Sequence, residues 1–167
     1  MTRAYVALGS NLERPSEQIR AAFAALAALD GTRVVRQSSL YKTTPVGYLD
    51  QPDFINAVAE LDTSLTPLAL LQALMQIETG FGRVRTFRNA PRVLDLDVLH
   101  VDGCQMQSDT LTLPHPRLHE RAFVLVPLAE IAPELLVAGN IPVREAVKRL
   151  DVSGVMRLPD GDDRHAM

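Results

Sequence analysis

Arg88-Asn89-Ala90-Pro91-Arg92-Val93-Leu94-Asp95-Leu96-Asp97-Val98-Leu99 is the stretch from which the rest of the chain is read. From Val93 it alternates apolar and acidic residues, the period of a strand with two unlike faces. Leu94, Leu96 and Val98 share one face; Asp95 and Asp97 sit as neighbours on the other. Two carboxylates so placed repel each other, and one takes up a proton unless a cation lies beside them. Arg83, Arg85, Arg88 and Arg92 come just before the pair, with no acidic residue from Arg83 to Leu94. Carboxylates that hold a metal, next to arginines that hold anions, describe a site for a metal–polyphosphate complex. A salt-bridged strand edge is the plain alternative.

The 167 residues fit one domain, and 47% hydrophobic residues can bury a core without disulfide or metal staples. A net charge of −3 argues against general nucleic-acid affinity. The single cysteine, Cys104, leaves no intramolecular disulfide and no cysteine pair for zinc. The N-terminal apolar run is too short for a signal peptide, and no apolar span reaches membrane length, so a cytoplasmic protein is expected.

Outward from the acidic pair, the chain alternates strands and helices. Ala4 to Leu8 reads as a strand closed by Gly9-Ser10-Asn11, a turn that by itself decides nothing. Pro15 opens a helix, with Ile19, Ala22, Phe23, Leu26 and Leu29 at helical spacing and Gly31 as its stop. Val34 to Tyr41 reads as one strand with Ser38 and Leu40 on the face of Val34, and residues 42–52 as a long binding loop. Phe54 to Leu61 is a strand with Ile55, Ala57, Ala59 and Leu61 on one face. Asn56, on the other, needs a partner for its amide, either a ligand or a neighbouring backbone group. Thr66-Pro67 starts a helix carrying Leu71, Leu74, Met75 and Glu78 and ending at Gly80. A strand over 110–113, a short helix over 124–131 broken at Pro127, and a last helix from Pro142 through Leu150 complete the expectation. The order is βαββαβ with additions, an antiparallel α+β sandwich of the ferredoxin-like kind with helices packed on the sheet.

Several motifs in order resemble the 6-hydroxymethyl-7,8-dihydropterin pyrophosphokinases of folate biosynthesis. They are Ala7-Leu8-Gly9-Ser10-Asn11, Tyr41-Lys42-Thr43-Thr44-Pro45, Gln51-Pro52-Asp53-Phe54-Ile55-Asn56, Gly82-Arg83, Pro91-Arg92-Val93-Leu94-Asp95-Leu96-Asp97, and Pro114-His115-Pro116 with Arg121-Ala122-Phe123. The resemblance implies one pyrophosphokinase domain over residues 1–158; residues 159–167 carry no apolar period and are expected to fray. It implies transfer of pyrophosphate from ATP to the pterin hydroxymethyl group with release of AMP. Two Mg²⁺ ions are implied on Asp95 and Asp97, with Arg83 and Arg92 completing the catalytic set and Asp97 placed to help remove the hydroxyl proton.

For the pterin, the family pattern points to Thr43, Thr44 and Val46 on the loop, Phe54 and Asn56 on the strand, and Phe123 opposite as a second aromatic wall. Without the resemblance, Phe54 and Phe123 would read as core. For ATP it points to Leu71, Met75, Val98 and Leu111 around adenine, Thr112 and His115 near ribose and phosphates, and Glu78, Arg83, Arg85, Arg92 and Arg121 completing the site. His115 on its own would read as a turn histidine. Asn89-Ala90 stands where many relatives have Trp-Gly, the arginine loop is one residue shorter than in some, and Pro116 replaces a tyrosine. The partners implied are ATP and the pterin alone, acting on a monomer, with no nucleic acid and no membrane. Rival readings are a ferredoxin-like RNA-binding module, another Mg-dependent nucleotidyl or sugar transferase using Asp-Leu-Asp, and a purely structural subunit.

Overall fold

The computed structural model describes residues 1–12, 14–44, 52–81, 93–137 and 140–159. In chain order the elements are β1 (Thr2–Ser10), α1 (Pro15–Ala27), β2 (Thr32–Gln37), β3 (Tyr41–Thr43), β4 (Phe54–Thr63), α2 (Pro67–Gly80), β5 (Asp95–Val101), β6 (Met106–Gln107), β7 (Thr112–Leu113), a 3₁₀ turn at Leu118–Glu120, α3 (Ala122–Ile131), β8 (Leu136–Val137), β9 (Ile141–Pro142), α4 (Val143–Val147) and β10 (Val155–Arg157). The main sheet runs β10-β3-β4-β1-β5, with β2 also paired to β4. All of its pairings are antiparallel. With β2 and β3 taken as one broken strand, this is the ferredoxin-like βαββαβ arrangement.

Both faces of the sheet are covered. Val6 and Leu8 of β1, Ile55, Ala57, Ala59 and Leu61 of β4, and Leu96 and Val98 of β5 pack with Ile19, Phe23 and Leu26 of α1 and Leu70 and Leu74 of α2. On the other face Tyr5, Val58 and Leu99 pack with Val124, Leu125, Leu128 and Ile131 of α3 and Val143 and Ala146 of α4. The face assignment for β4 therefore holds as expected. Helix α2 starts as its sequence implied: Thr66 Oγ1 accepts the Ala69 N–H at 3.2 Å and Pro67 occupies the first turn. No helix among the described residues is long and apolar enough to cross a membrane.

Several elements differ from expectation, each for a local reason. β1 begins at Thr2 because Thr2 and Arg3 continue the register against Thr63 and Asp62, and Arg3 pairs with Glu60 and Asp62. The expected strand 34–41 is two strands: Ser38 Oγ accepts the Val58 N–H at 2.9 Å, and a side chain in the ladder's place interrupts it. Only Thr112 and Leu113 of the expected strand 110–113 pair, because Ser108 and Leu111 close a turn before them through the Ser108 Oγ. α3 is not broken at Pro127. The lost backbone bond costs about 3 kcal/mol. Four buried apolar side chains at about 1.5–3 kcal/mol each outweigh it.

The last helix is shorter than expected: beyond Val147, the N–H groups of Lys148, Arg149 and Leu150 bond three residues back, so the helix tightens into 3₁₀ turns. β10 was not foreseen. It pairs with β3, and Thr44 N–H donates to the Gly154 carbonyl at 3.2 Å, extending the contact one residue beyond β3.

Leu125 is fully buried on α3 and Leu68 is exposed on α2. Leu125→Ala should cost about 2–5 kcal/mol in urea unfolding, whereas Leu68→Ala should stay within about 0.5 kcal/mol.

Candidate active site

The acidic pair lies on β5 against the end of β1, with Asp95 opposite Gly9 and Asp97 opposite Ala7. Leu96 and Val98 point into the core shared with α1 and α2. Asp95 and Asp97 therefore face the α3 side, and both are half-buried. The register then carries the row across the sheet: Asp95 opposite Gly9, Gly9 opposite Asn56, and Asn56 opposite Tyr41. Asn56 and Asp95 thus stand two strand spacings apart, about 10 Å, with a residue between them that has no side chain. A Cβ at Gly9 would come 3.6 Å from Asn56 Nδ2. The next row runs Asp97, Ala7, Val58. The result is a trough floored by Gly9 and Ala7, with an amide on one bank and two carboxylates on the other.

Thr43 and Phe54 form the next cross-strand pair on the amide bank, on the same sheet face as Asn56. Thr43 Oγ1 donates to Asn56 Oδ1 at 3.3 Å, which leaves the Asn56 amide N–H pair turned toward Gly9. Asn11, given no role of its own by the sequence, is buried, and its Nδ2 donates to the Pro52 carbonyl at 3.2 Å. That bond fastens Pro52, just before β4, to the end of β1. Its importance depends on contacts between segments 41 residues apart, which local periodicity does not report.

The third side of the trough is delivered by an irregularity. The ladder shifts register between Tyr5 and Val6, so Leu99 has no partner on β1, and its carbonyl accepts the His115 N–H at 2.8 Å. This tethers the segment from His115 to Phe123 over the α3 face of β5. His115 Nδ1 accepts the Arg117 N–H at 3.2 Å, so the neutral ring carries its proton on Nε2. Burial, then the Arg121 and Arg117 charges, push His115 below its ordinary value, and Asp95 opposes them. Burial also pulls Arg121 down from its ordinary range, while Asp97 and Asp95 favour its charge. The Arg121 guanidinium sits 5.7 Å from the centre of the Phe123 ring, a cation–π contact.

The remaining positions lie around the outer edge of β5. Val98 and Leu111 are buried in the α1/α2 core, Leu71 packs against it, Thr112 is half-buried on β7 and Met75 is exposed on α2. Glu78 is buried, and its Oε2 accepts the Leu96 N–H at 2.7 Å. Val46, Arg83, Arg85 and Arg92 lie outside the described residues. A polar cleft of about 570 Å³ along β2, lined by Arg33, Arg36 and Gln37 among others, holds none of these side chains. It is the exposed edge of a strand.

A ferredoxin-like α+β domain with paired strand carboxylates, a half-buried arginine near them and a polar-and-aromatic bank two strands away has the parts of a phosphoryl-group transferase. The family profile described as 7,8-dihydro-6-hydroxymethylpterin-pyrophosphokinase matches residues 5–133. The chain is 50% identical over 158 residues to the 2-amino-4-hydroxy-6-hydroxymethyldihydropteridine pyrophosphokinase of Methylorubrum extorquens, covering 95% of this chain and 99% of that protein. To the Haemophilus influenzae protein of the same name it is 48% identical over 158 residues, with the same coverage. The folic acid synthesis protein fol1 of Schizosaccharomyces pombe is 38% identical over 162 residues, a match covering 96% of this chain and 22% of fol1.

Among solved structures, wild-type Plasmodium falciparum HPPK-DHPS with SDX-DHP superposes with a TM-score of 0.70 at 14% identity, over 94% of this chain. The chain spans about half of that longer chain, 47%, and the likeness shows the fold.

The chain belongs to the 7,8-dihydro-6-hydroxymethylpterin pyrophosphokinase family. It is an ATP-dependent transferase that moves a pyrophosphoryl group from ATP to hydroxymethyldihydropterin in folate biosynthesis. A magnesium requirement goes with that activity. The donor set fits: two hard carboxylate oxygen groups on one strand face suit a cation that takes its remaining oxygens from phosphates and water.

His115 gives a test of the electrostatics. Its unfolded form binds a proton below about 6.5, while the native ring does so only at lower pH. This group therefore takes stability away as pH falls through that window, because the unfolded state binds more protons there. In an NMR titration the His115 midpoint should lie below that of an unfolded histidine. Arg121→Ala should raise it and Asp95→Asn should lower it further.

Proposed function

We propose that this chain performs the transfer across the α3-side trough as a monomer in the cytosol, with the pterin on the Asn56 bank and the ATP phosphates on the Asp95–Asp97 bank. The observation that carries this is the register Asn56–Gly9–Asp95, which puts a polar bank and a paired-carboxylate bank on one face with only backbone between them. The Asn56 amide is suited to the ring nitrogen and exocyclic groups of a pterin, with Thr43 and Thr44 beside it. Phe54 on the sheet and Phe123 on α3 supply two aromatic walls for a flat ring. Val46 belongs to the same set.

Asp95 and Asp97 would hold two Mg²⁺ ions, which would supply charge neutralisation on the phosphates and help to align the attacking oxygen. Arg121 binds phosphate from its half-buried position, joined by Arg83, Arg85 and Arg92, and neutral His115 offers Nε2–H as a donor near the ribose and phosphates. Leu71, Met75, Val98, Leu111 and Thr112 surround the nucleotide's base and sugar at the β5 edge. The pterin hydroxymethyl oxygen attacks the β-phosphorus and the bond from that phosphorus to the α–β bridging oxygen breaks. AMP leaves with that oxygen, and Asp97 takes the hydroxyl proton. Most of the work is positioning and electrostatics. The RNA-binding alternative needs an open sheet face with aromatics, whereas helices cover both faces here.

Incubation with ATP, Mg²⁺ and hydroxymethyldihydropterin should release AMP in step with pterin consumption. Stoichiometric ADP would rule out pyrophosphoryl transfer. Asp97→Asn keeps size and hydrogen bonding but removes the charge, so turnover should fall by about 10²-fold or more while the melting temperature in chelator changes little. Near-normal turnover with a lowered melt would make Asp97 half of a structural ion pair. Phe123→Ala should weaken pterin binding by about 1–3 kcal/mol and leave ATP affinity within a few fold, as read by calorimetry. Equal loss for both ligands would place Phe123 in the core.

A further inference from the structure

Among the described residues, strand β5 is the outer strand of the main sheet on this side and pairs with β1 alone. In an antiparallel ladder the N–H and C=O groups of successive residues point alternately toward and away from the partner strand. The Leu96 N–H goes to Glu78, so it points away from β1, and the backbone groups of Asp95 and Asp97 are the ones that face the ladder. An outward N–H on an edge strand is ordinarily left to solvent. Here it is met by a carboxylate from α2, eighteen residues earlier in the chain and 3% exposed.

Burying a carboxylate is costly, and a neutral side chain with one oxygen would satisfy the same amide at lower cost. The carboxylate does something the neutral group does less well: a charge-assisted bond, 2.7 Å here, holds its donor more stiffly. The donor it holds is the amide of the residue between the two aspartates. A strand pinned on one side only can twist or bulge. With β1 on one side and Glu78 on the other, the backbone from Asp95 to Asp97 is fixed in its pleat, and with it the directions of both carboxylates. The helix that carries Glu78 also packs Leu70 and Leu74 into the core, so the brace is anchored in rigid structure.

We propose that Glu78 is a positioning residue for the metal site, which it serves through the Leu96 amide rather than by contact with the nucleotide. This rests on the assignment of Asp95 and Asp97 to the metal. Outer-shell groups of this kind change metal affinity or activity by about 10–100-fold when lost.

The test uses the full chain with Glu78→Leu, which keeps bulk and removes the acceptor, Glu78→Gln, which keeps an acceptor and removes the charge, and Asp97→Asn as the reference. The first readout is amide hydrogen exchange in metal-free protein. In Glu78→Leu the Leu96 amide should lose protection while the amides of Val6 and Leu8 on the central strand keep theirs. In Glu78→Gln protection should largely return. The second readout is rate against free Mg²⁺ at saturating ATP and pterin: Glu78→Leu should raise the half-maximal Mg²⁺ concentration about 10-fold or more, and Glu78→Gln should recover much of that shift.

The proposal is overturned if Leu96 stays protected in Glu78→Leu, or if Glu78→Gln is as impaired as Glu78→Leu. It is overturned too if both variants raise only the KM for ATP, which would make Glu78 a direct nucleotide contact. General loss of protection across β1 would make it a core residue. If Asp97→Asn moves the Mg²⁺ dependence and Glu78→Leu does not, the brace alone fails. If Asp97→Asn leaves it unmoved, the metal assignment fails and the brace falls with it.

Discussion

Two carboxylates at alternate positions of one strand repel each other, and the fold holds them in place before any ligand arrives. The backbone does most of this. Asp95 and Asp97 are locked against Gly9 and Ala7 by the β1 ladder, and Leu96 between them drives its side chain into the α1/α2 core. Burial of Leu94, Leu96 and Val98 on one face leaves the aspartates no choice of face, because a register slip of one residue would exchange the two sets. The hydrophobic pattern of β5 is therefore what orients the charges, and Arg121 is the described cation whose ionisation they favour.

The second requirement is that α3 sit over the trough at a set height. Its far end is fastened to the sheet by Glu130, whose Oε1 accepts the Ser39 N–H and the Tyr41 hydroxyl, each at 2.8 Å, and whose Oε2 accepts the Ser39 hydroxyl at 2.9 Å. Burial and this hydrogen bond hold the Tyr41 phenol well above its ordinary range, so it remains a donor. The near end is set by the unpaired Leu99 carbonyl and its bond to His115. Phe123 and Arg121 are thus placed by one polar brace at each end of their segment, with Leu125 and Leu128 filling the space between. Tyr41 belongs to β3, which leads into Thr43 and Thr44. The same brace therefore links the Phe54–Asn56 bank to the segment that carries Phe123.

What could be read from the chain alone followed from local pattern. β1, β4 and β5 alternate strongly because each buries one face, and α1 and α2 show their stripes, so the βαββαβ order was legible. The break at Ser38 was not, since a hydroxyl replacing a ladder bond leaves the alternation intact. β10 gives little signal because its residues are mostly exposed, and Met156 is among them. In the site, Asp95, Asp97 and Asn56 stood out as polar residues inside apolar strands. Gly9, Asn11 and Glu130 did not, because their contributions come from cross-strand register or from contacts 41 and 89 residues apart. Only resemblance to relatives put Glu78 among the residues expected near the nucleotide, and its bond to Leu96 appears only in three dimensions.

The central claim is that one face of β5 carries the metal–phosphate bank while Asn56, two strands away, carries the pterin bank. The most direct measurement is a crystal structure with Mn²⁺, a non-hydrolysable ATP analogue and the pterin, with metals located by anomalous scattering. Two peaks should appear within bonding reach of the Asp95 and Asp97 carboxylates and the analogue's phosphates, with the pterin ring against Asn56 and between Phe54 and Phe123. Metal peaks away from Asp95 and Asp97, or a pterin ring bound outside the trough floored by Gly9 and Ala7, would contradict it.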